Sequence, residues 1–406
     1  MRKLAWRLLL LFAFAIPWEF SLDLGEPFGS IARIIGLVLV LVAIPAVMQA
    51  GSLRTPGILQ WVVLAFYLWF CCSYFWTIDQ QATLEKLRGY FQEMMIVWLI
   101  WEFAEGPLDL RALLRAYVAG SSVLAVLTVV NLGSAEAMAT GQIRFAAMGQ
   151  DPNDVARLLD LGFPLAALLV NCEPRWPGRL LAIGYLPLGL VAVLLTASRG
   201  GFLAAMVALA GCALLLLRGH ARAVLASAFV LPMIAAALWF GVPHETFERL
   251  TTIPAQLSGG DLNQRVNIWS AGWHAFVQAP WLGTGAGSFV GAAGMDPQDT
   301  AHNTALSILA GGGLCALFIA VCILAVAVRA LTRTRGPLLL AFTTALLVWM
   351  LTSLVATVEE SRTTWLLLGL AALAGRLAIE EPQCLAACFA DRSHRPGPAM
   401  TPQPVL

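Results

Sequence analysis

The chain has 406 residues, of which 59% are hydrophobic and only 12% are charged, with a mean hydropathy of +0.78 and a formal net charge of +1. Soluble domains carry roughly 25% charged residues, so this composition excludes an ordinary water-soluble fold and predicts an all-α polytopic membrane protein. The small net charge does not indicate a nucleic-acid partner, and the 8 cysteines lack the spacing of a disulfide framework or a zinc site.

Apolar stretches long enough to cross a hydrocarbon core of ~30 Å recur along the chain. The first follows Met1-Arg2-Lys3 and has features of a secretory signal, but Arg7 shortens its apolar run and further stretches follow at once. We therefore interpret it as a membrane helix. About twelve helices are predicted in this way, near 4–19, 29–49, 57–75, 85–104, 111–133, 154–172, 178–196, 201–217, 222–241, 302–328, 336–356 and 362–378.

One connection, from about 242 to 301 between the ninth and tenth predicted helices, is much longer than the others. We expect a single transmembrane helical domain over 1–378 that includes this connection as a long periplasmic loop. The remainder, 379–406, is rich in proline and is expected to form a disordered cytoplasmic tail.

Part of the long loop has an apolar face at helical spacing, formed by Val266, Trp269, Trp273 and Phe276. This spacing predicts an amphipathic helix that lies at the membrane interface, where tryptophan is favoured. The tryptophans are interpreted as membrane anchors, and platforms that stack against sugars are the alternative.

The basic residues indicate the orientation, because cytoplasmic loops of membrane proteins are enriched in Lys and Arg. Most of the 25 basic residues lie on one set of helix ends, which is cytoplasmic if both termini are inside. A smaller set lies on the opposite, outer side, and a cation there needs a partner or a ligand. The members of this outer set are Arg33, Lys86, Arg88, Arg144, Arg157, Arg199, Arg249, Arg265 and Arg362.

Some members of the outer set have a carboxylate at helix-neighbour spacing, which predicts an ion pair. Arg144 and Arg199 have no carboxylate three or four residues away, so an anionic ligand and a distant partner remain equal alternatives for them. The predicted pairs are Glu85 with Arg88, Asp154 with Arg157, Asp261 with Arg265, and Glu359 with Arg362.

Two polar segments stand at predicted helix ends on the outer side. Thr-Ala-Ser-Arg-Gly-Gly at 196–201 predicts a tight turn, and Arg199 within it could hold a phosphate through two parallel hydrogen bonds. Asp-Pro-Asn-Asp at 151–154 is typical of a helix N-terminus, with Asp151 as the cap. Binding of sugar hydroxyls by this segment is the alternative.

A histidine, His302, stands at the start of the tenth predicted helix beside Asn303. In this position it could act as a general base whose ring is oriented by a neighbouring side chain. A purely structural histidine is the alternative reading when the residue is considered by itself.

These motifs occur in one order along the chain: Thr-x-Ser-Arg-Gly-Gly at 196–201, Arg265 with Trp269, Pro-x-Leu-Gly-x-Gly from Pro280 to Gly285, and His302-Asn303 followed by Leu306. Together they resemble the bacterial O-antigen ligase and polymerase superfamily, the Wzy/WaaL-like membrane glycosyltransferases. The resemblance covers the whole helical layout and is strongest from about 140 to 360.

The resemblance implies a GT-C-like, metal-independent glycosyltransferase without a cofactor, located in the bacterial inner membrane. Such an enzyme moves a glycan from an undecaprenyl pyrophosphate donor to an acceptor hydroxyl on the periplasmic face. Membrane lipids and other polysaccharide-assembly proteins are the further partners it implies. It assigns catalytic roles to Arg199, Arg265 and His302, and substrate-binding roles to Arg88, Arg144, Asp151, Asn153 and Asn303.

The identity of the acceptor distinguishes the alternative functions of such an enzyme. A second lipid-linked repeat unit would make the protein a polymerase, which the 151–154 segment slightly favours. Lipid A-core would make it an O-antigen ligase, and a protein acceptor would make it an O-oligosaccharyltransferase, although relatives of that kind carry a large C-terminal domain. A polysaccharide-lipid transporter or flippase is the alternative of another class, but carriers place polar sites near the midplane between repeated halves.

Overall fold

A computed structural model describes residues 1–25, 29–134, 144–217, 243–260, 262, 264–295 and 299–390. About 78% of these residues are helical, and they contain no strand. The helices in chain order are α1 (Arg2–Ala15), α2 (Ile31–Ala50), α3 (Ile58–Ser73), α4 (Gln80–Phe103), α5 (Pro107–Leu132), α6 (Pro152–Cys172), α7 (Trp176–Leu195), α8 (Arg199–Leu216), α9 (His244–Thr251), α10 (Ile253–Gly259), α11 (Arg265–Gln278), α12 (Phe289–Ala293), α13 (Thr304–Leu331), α14 (Gly336–Ser353), α15 (Arg362–Glu380) and α16 (Pro382–Phe389).

The predicted all-α polytopic membrane architecture is confirmed. Within the described ranges, nine helices are long and apolar enough to cross a membrane: α1 with the 3-10 turn that follows it, α2, α5, α6, α7, α8, α13, α14 and α15. Two others coincide with predicted spans, namely α3, which is shorter, and α4, which is interrupted by charged residues. The predicted span at 222–241 lies outside the described residues, so the count of twelve stays a prediction.

Two helices form the centre of the bundle. Every residue is buried from Val155 to Leu169 in α6 and from Thr363 to Leu377 in α15. A helix that is apolar on all faces is stable when it is surrounded by others. Accordingly α6 packs against α5, α7, α8 and α14, whereas α15 packs against α4 and α13. These two helices hold the surrounding ones in fixed positions, and both begin at the same end of the bundle as the site described below.

The long connection predicted at 242–301 contains the short helices α9 to α12 in its described part. A helix lies where the amphipathic helix was predicted, namely α11, which packs against α12 and α13. Its Phe276 is buried, whereas Trp273 is 53% exposed. The two rings lie 5.1 Å apart between centroids. The exposed tryptophan fits the predicted anchor, and the position of α11 at the membrane interface stays a prediction.

The glycine-rich loop Pro280–Gly285 docks onto a break in α13 at Gly313, whose φ is +67°. The backbone N–H of Gly285 donates to the carbonyl of Gly311 at 2.9 Å. A Cβ on Gly283, where φ is +70°, would lie 2.5 Å from the backbone of Gly311. Any larger residue would separate the two segments. The loop therefore fixes the end of α11 against the helix that begins after His302.

Two of the predicted ion pairs are settled by these helix boundaries. Asp154 pairs with Arg157, with 3.0 Å between Oδ1 and Nη2, as predicted. The pairing of Glu359 with Arg362 was wrong, because α15 begins only at Arg362 and the spacing between them is therefore not helical. Arg362 pairs instead with Glu19, in the 3-10 turn after α1.

The predicted pair of Glu85 and Arg88 was also wrong. No ion pair joins the two, although both are among the described residues; Glu85 instead accepts a hydrogen bond from Gln81 at 3.3 Å. Gln81 precedes Glu85 by one helical turn and competes for the same carboxylate. The remaining predicted pair depends on Asp261, which lies outside the described residues.

The expectation of a disordered tail from 379 was wrong for its first part. Helix α15 continues to Glu380, and α16 follows at Pro382–Phe389. In α16, Leu385, Cys388 and Phe389 are buried against the bundle, because their spacing gives this short helix one apolar face. Residues 391–406 lie outside the described part of the chain.

Candidate active site

A cavity lies where α6, α8 and α11 begin, and it is called here the basic pocket. It brings together Arg144, Arg199 and Arg265, which were predicted from the sequence, and Arg249, which was not. No carboxylate lines it among the described residues. The full lining is Arg144, Asn153, Ala197, Arg199, Gly200, Leu203, Arg249, Ile253, Gln256, Leu262, Arg265 and Val355.

The predicted turn at 196–201 places Arg199 at the first position of α8. Ser198 caps this helix, since its Oγ accepts from the N–H of Gly201 at 3.2 Å and donates to Asn153 Oδ1 at 2.8 Å. Gly201 allows close packing, because a Cβ there would lie 2.4 Å from that of Ala156 in α6. The turn thus joins α8 to the N-terminus of α6 and directs Arg199 into the pocket.

The segment at 151–154 serves both as a helix cap and as part of the pocket wall. Asp151 caps α6 by accepting from the N–H of Asn153 at 2.7 Å, so the structural reading of this motif is confirmed. The side chain of Asn153 also accepts from Arg144 Nη2 at 2.9 Å. Arg144 Nε donates to the carbonyl of Thr196 at 3.2 Å. Asn153 therefore positions Arg144 at the pocket and lines the pocket itself.

Arg249 was missed as a site residue by sequence reasoning. It lies in α9, and its Nε donates to the carbonyl of Ala197 at 3.2 Å. The only sequence signal was its membership of the outer cationic set. Because α9 belongs to the long connection, nothing in the local sequence indicates that it packs beside α8.

Three residues that border the predicted catalytic side chains have a left-handed backbone without being glycine. These are Ala197 (φ +49°), Gln264 (φ +64°) and His302 (φ +45°). Such conformations cost about 1–3 kcal/mol each and cluster at functional sites. Ala197 lies two residues before Arg199, and Gln264 immediately precedes Arg265. Backbone strain is thus concentrated at each of the three predicted catalytic positions.

His302 lies beside the arginines, between α12 and α13. Its carbonyl accepts from Trp269 Nε1 at 3.4 Å, and its Nδ1 lies 3.3 Å from Thr300 Oγ1. The predicted neighbour Asn303 does not orient the ring. Asn303 instead caps α13 by accepting from the N–H of Leu306 at 2.9 Å. Thr300 is therefore the side chain that contacts the imidazole.

The pKa shifts reflect one shared electrostatic environment. Partial burial lowers the pKa of Arg265, with a smaller raising effect from Asp151 and a lowering effect from Arg199. Partial burial and then Arg265 lower the pKa of His302, which Asp151 opposes. Arg144 shows the same combination: burial lowers its pKa most, and neighbouring arginines add to the effect. The arginines remain charged, whereas His302 is favoured in its neutral form.

Arg88 is not part of this arrangement. It lines a different cavity, formed mainly by apolar residues of α1, α2 and α4, together with Arg33, Gln92 and Arg362. Residues two apart on a helix point in nearly opposite directions. Lys86, which precedes Arg88 by two residues, therefore faces the other side of α4 and lines a different cavity, described next. The structure therefore separates Arg88 from the other predicted substrate-binding residues.

A second cavity, called here the acidic pocket, has a volume of about 400 Å³ and also reaches the loop before His302. Thr300, the residue that contacts the His302 ring, is part of its lining. The charged residues around it are Glu85, Lys86, Glu93, Asp299 and Glu360. Sequence reasoning missed this pocket, because its charged residues come from three distant segments of the chain.

The described helices and the arginine-lined site define a multi-pass membrane protein with a strongly cationic pocket at one end of its bundle. Residues 184–321 match the family described as O-antigen ligase, a stretch that includes Arg199, Arg265, the glycine-rich loop and His302. This match covers about a third of the chain and supports membership in the O-antigen ligase/polymerase family, which the order of motifs predicted; members of this family are glycosyltransferase-like enzymes. No curated protein gives a significant sequence match to the chain.

Proposed function

We propose that the protein transfers a glycan from an undecaprenyl pyrophosphate donor to an acceptor hydroxyl, on the periplasmic face of the bacterial inner membrane, with both termini in the cytoplasm. The observation that supports this most strongly is the convergence of four guanidinium groups, from Arg144, Arg199, Arg249 and Arg265, on one cavity whose described lining includes no carboxylate. Guanidinium groups gathered in this way attract an anion, and a pyrophosphate is such an anion.

The donor pyrophosphate occupies the basic pocket in this proposal. Arg199 and Arg265 stand at the first positions of α8 and α11, where the helix dipoles also favour an anion. Guanidinium groups can bind phosphate oxygens through paired hydrogen bonds. Because negative charge grows on the leaving pyrophosphate, arginines fixed in advance stabilise the transition state more than the bound donor. Metal-independent transfer is part of the proposal, since the arginines supply the positive charge.

His302 acts as the general base. The acceptor hydroxyl attacks the anomeric carbon, the bond from this carbon to the pyrophosphate oxygen breaks, and His302 takes the hydroxyl proton. Undecaprenyl pyrophosphate leaves, and one direct displacement inverts the anomeric configuration. The lowered pKa of His302 supports this role, because a neutral imidazole is required to accept the proton. With the proton on Nδ1 facing Thr300, Nε2 is the accepting nitrogen.

Polymerisation of lipid-linked repeat units is favoured over ligation to lipid A-core or transfer to a protein. The preference rests on the 151–154 segment, which forms a pocket wall as well as a helix cap. A flippase is disfavoured, because the cationic residues gather at one end of the bundle rather than midway along it.

The test uses the purified full-length protein in detergent with a lipid-pyrophosphate-linked repeat unit and no nucleotide or metal. Gel separation of a ladder of longer lipid-linked glycans would support a polymerase. Transfer only after addition of lipid A-core would support a ligase. Absence of transfer to either acceptor, from a donor that the protein binds, would contradict the proposal and favour the carrier alternative.

A further inference from the structure

The acidic pocket has no part in the steps proposed above, although one of its lining residues, Thr300, contacts the same histidine. Its volume of about 400 Å³ lies within the range of roughly 300–1,000 Å³ that is usual for small-molecule sites. Thr300 contributes to its wall and contacts His302 Nδ1 at 3.3 Å. A ligand in this pocket would therefore be close to the proposed general base.

The charge of this pocket is opposite to that of the basic pocket. Glu85, Asp299 and Glu360 are exposed at its surface, and Lys86 is its one lining cation among the described residues. Lys86 pairs with Glu360, which leaves the other carboxylates in excess. An anionic group such as pyrophosphate would be repelled here, whereas a neutral or cationic group would be accepted.

One carboxylate of the pocket requires a hydrogen-bond donor. Glu93 is only 4% exposed and lines the pocket, and its Oε2 has no hydrogen-bond partner among the described residues. A buried polar atom without a partner costs about 1–3 kcal/mol. A hydroxyl or ammonium group of a ligand would satisfy this oxygen. This observation is independent of the carboxylates at the surface of the pocket.

Three aromatic residues also line the acidic pocket. Phe70, Tyr90 and Phe289 all line the pocket and are buried, and the ammonium of Lys86 lies 5.3 Å from the centroid of the Tyr90 ring. A sugar ring has C–H groups that pack against aromatic rings and hydroxyls that donate to carboxylates. An aromatic wall with a few convergent carboxylates provides both kinds of contact.

We propose that the acidic pocket binds the terminal sugar of the acceptor glycan and selects an uncharged or amino-bearing sugar over a carboxylate-bearing one. This inference rests on the proposed function, since it assigns the acceptor to the side of His302 that the donor does not occupy. The two pockets then present the hydroxyl and the pyrophosphate-linked carbon to one histidine from separate cavities of opposite charge.

Binding of monosaccharides tests the inference without requiring transfer. Glucosamine, glucose and glucuronic acid share one ring and carry a positive, zero and negative charge at pH 7. Saturation-transfer NMR on the purified full-length protein would give a dissociation constant for each. We expect affinity to fall in the order glucosamine, glucose, glucuronic acid.

Variants test whether this order of sugar affinities arises in the acidic pocket. Glu85→Gln and Asp299→Asn each remove one charge with little change in size, and each should weaken glucosamine binding by up to about fivefold, the value of an exposed ion pair. The same changes should improve glucuronic acid binding.

Glu248→Gln is the matched control, because Glu248 is exposed on α9 and lines neither pocket. Arg265→Ala should leave sugar binding unchanged. Thermal unfolding of each variant checks that it is folded.

Equal or tighter binding of glucuronic acid by the wild type would overturn the inference, as would an unchanged order of affinities in the Glu85 and Asp299 variants. Failure of the proposed function is separable from this result. In that case the sugars would still bind in the expected order, whereas no glycan would be transferred from the lipid-linked donor and Arg265→Ala would not affect donor binding.

Discussion

The basic pocket contains Arg265, which lowers the pKa of His302, and the acidic pocket contains Thr300, which contacts the His302 ring, yet the two pockets have opposite charges and are built differently. The basic pocket uses the first residues of helices, where Arg199 and Arg265 gain from the helix dipole. The acidic pocket takes Glu93 from within α4, with Asp299 and Glu360 from two connections. The difference suggests how two glycan-bearing substrates are distinguished: each pocket repels the charge that the other accepts, so that the pyrophosphate enters only one of them.

The largest expected effect comes from His302. Replacing His302 by Ala removes the proposed general base and should lower the rate of transfer by about 10²–10⁴-fold. Single-turnover transfer from the lipid-linked donor would measure the rate. His274→Ala is the control, since His274 is exposed on α11 and its ring contacts only its own helix, at Ser270 O. Full activity of His302→Ala would mean that the histidine is structural.

The next effect concerns the basic pocket alone. Arg265→Ala should reduce the rate by about 10²–10³-fold, because one preorganised donor to the developing charge is lost. Arg33→Ala removes an exposed arginine that lines a different cavity and serves as the control. Measurement of kcat and KM for the donor tests this, with kcat expected to fall more. Equal losses in the two variants would indicate a general effect of charge rather than a pyrophosphate site.

A smaller effect is expected on the pH profile. Asp151 raises the pKa of His302, against burial and Arg265, which lower it. Asp151→Asn retains a good helix cap but removes the charge, so the pKa of His302 should fall further. A neutral histidine is the active form, so the rate should rise with pH through this pKa, below ~6.5. The acid limb of the profile should therefore move to lower pH in the variant, and a shift to higher pH would contradict the assignment.

The smallest effect is expected at Thr300, which lines the acidic pocket. Thr300→Val removes the hydroxyl that contacts His302 Nδ1 at 3.3 Å and should reduce the rate by about two- to tenfold, as for loss of one hydrogen bond. Thr300→Ser keeps the hydroxyl and should keep most of the activity. If valine and serine at 300 behaved alike, ring orientation by Thr300 would be excluded, and the acidic pocket would be connected to the base only by proximity.

Much of the fold could be predicted because its signals are local. The length of each apolar stretch is contained in about 20 successive residues, and the described helices α1 to α8 and α13 to α15 coincide with these stretches. The cap at Asp151 and the turn before Arg199 depend on residues only a few positions apart. Predictions failed where they assumed helical spacing outside a helix, as for Glu359 with Arg362, or overlooked a short apolar face, as in α16.

The sequence by itself determined that this is an all-α membrane protein and supplied the order of motifs that resembles the O-antigen ligase family. Only the tertiary structure decided that Arg249 joins Arg199 and Arg265, that Arg88 does not, and that an acidic pocket includes Thr300, which contacts His302. The physical reason is the distance along the sequence over which the interactions act. Helix formation depends on neighbours along the chain, whereas a pocket depends on which helix faces meet, and this is set by packing between segments that are distant in sequence.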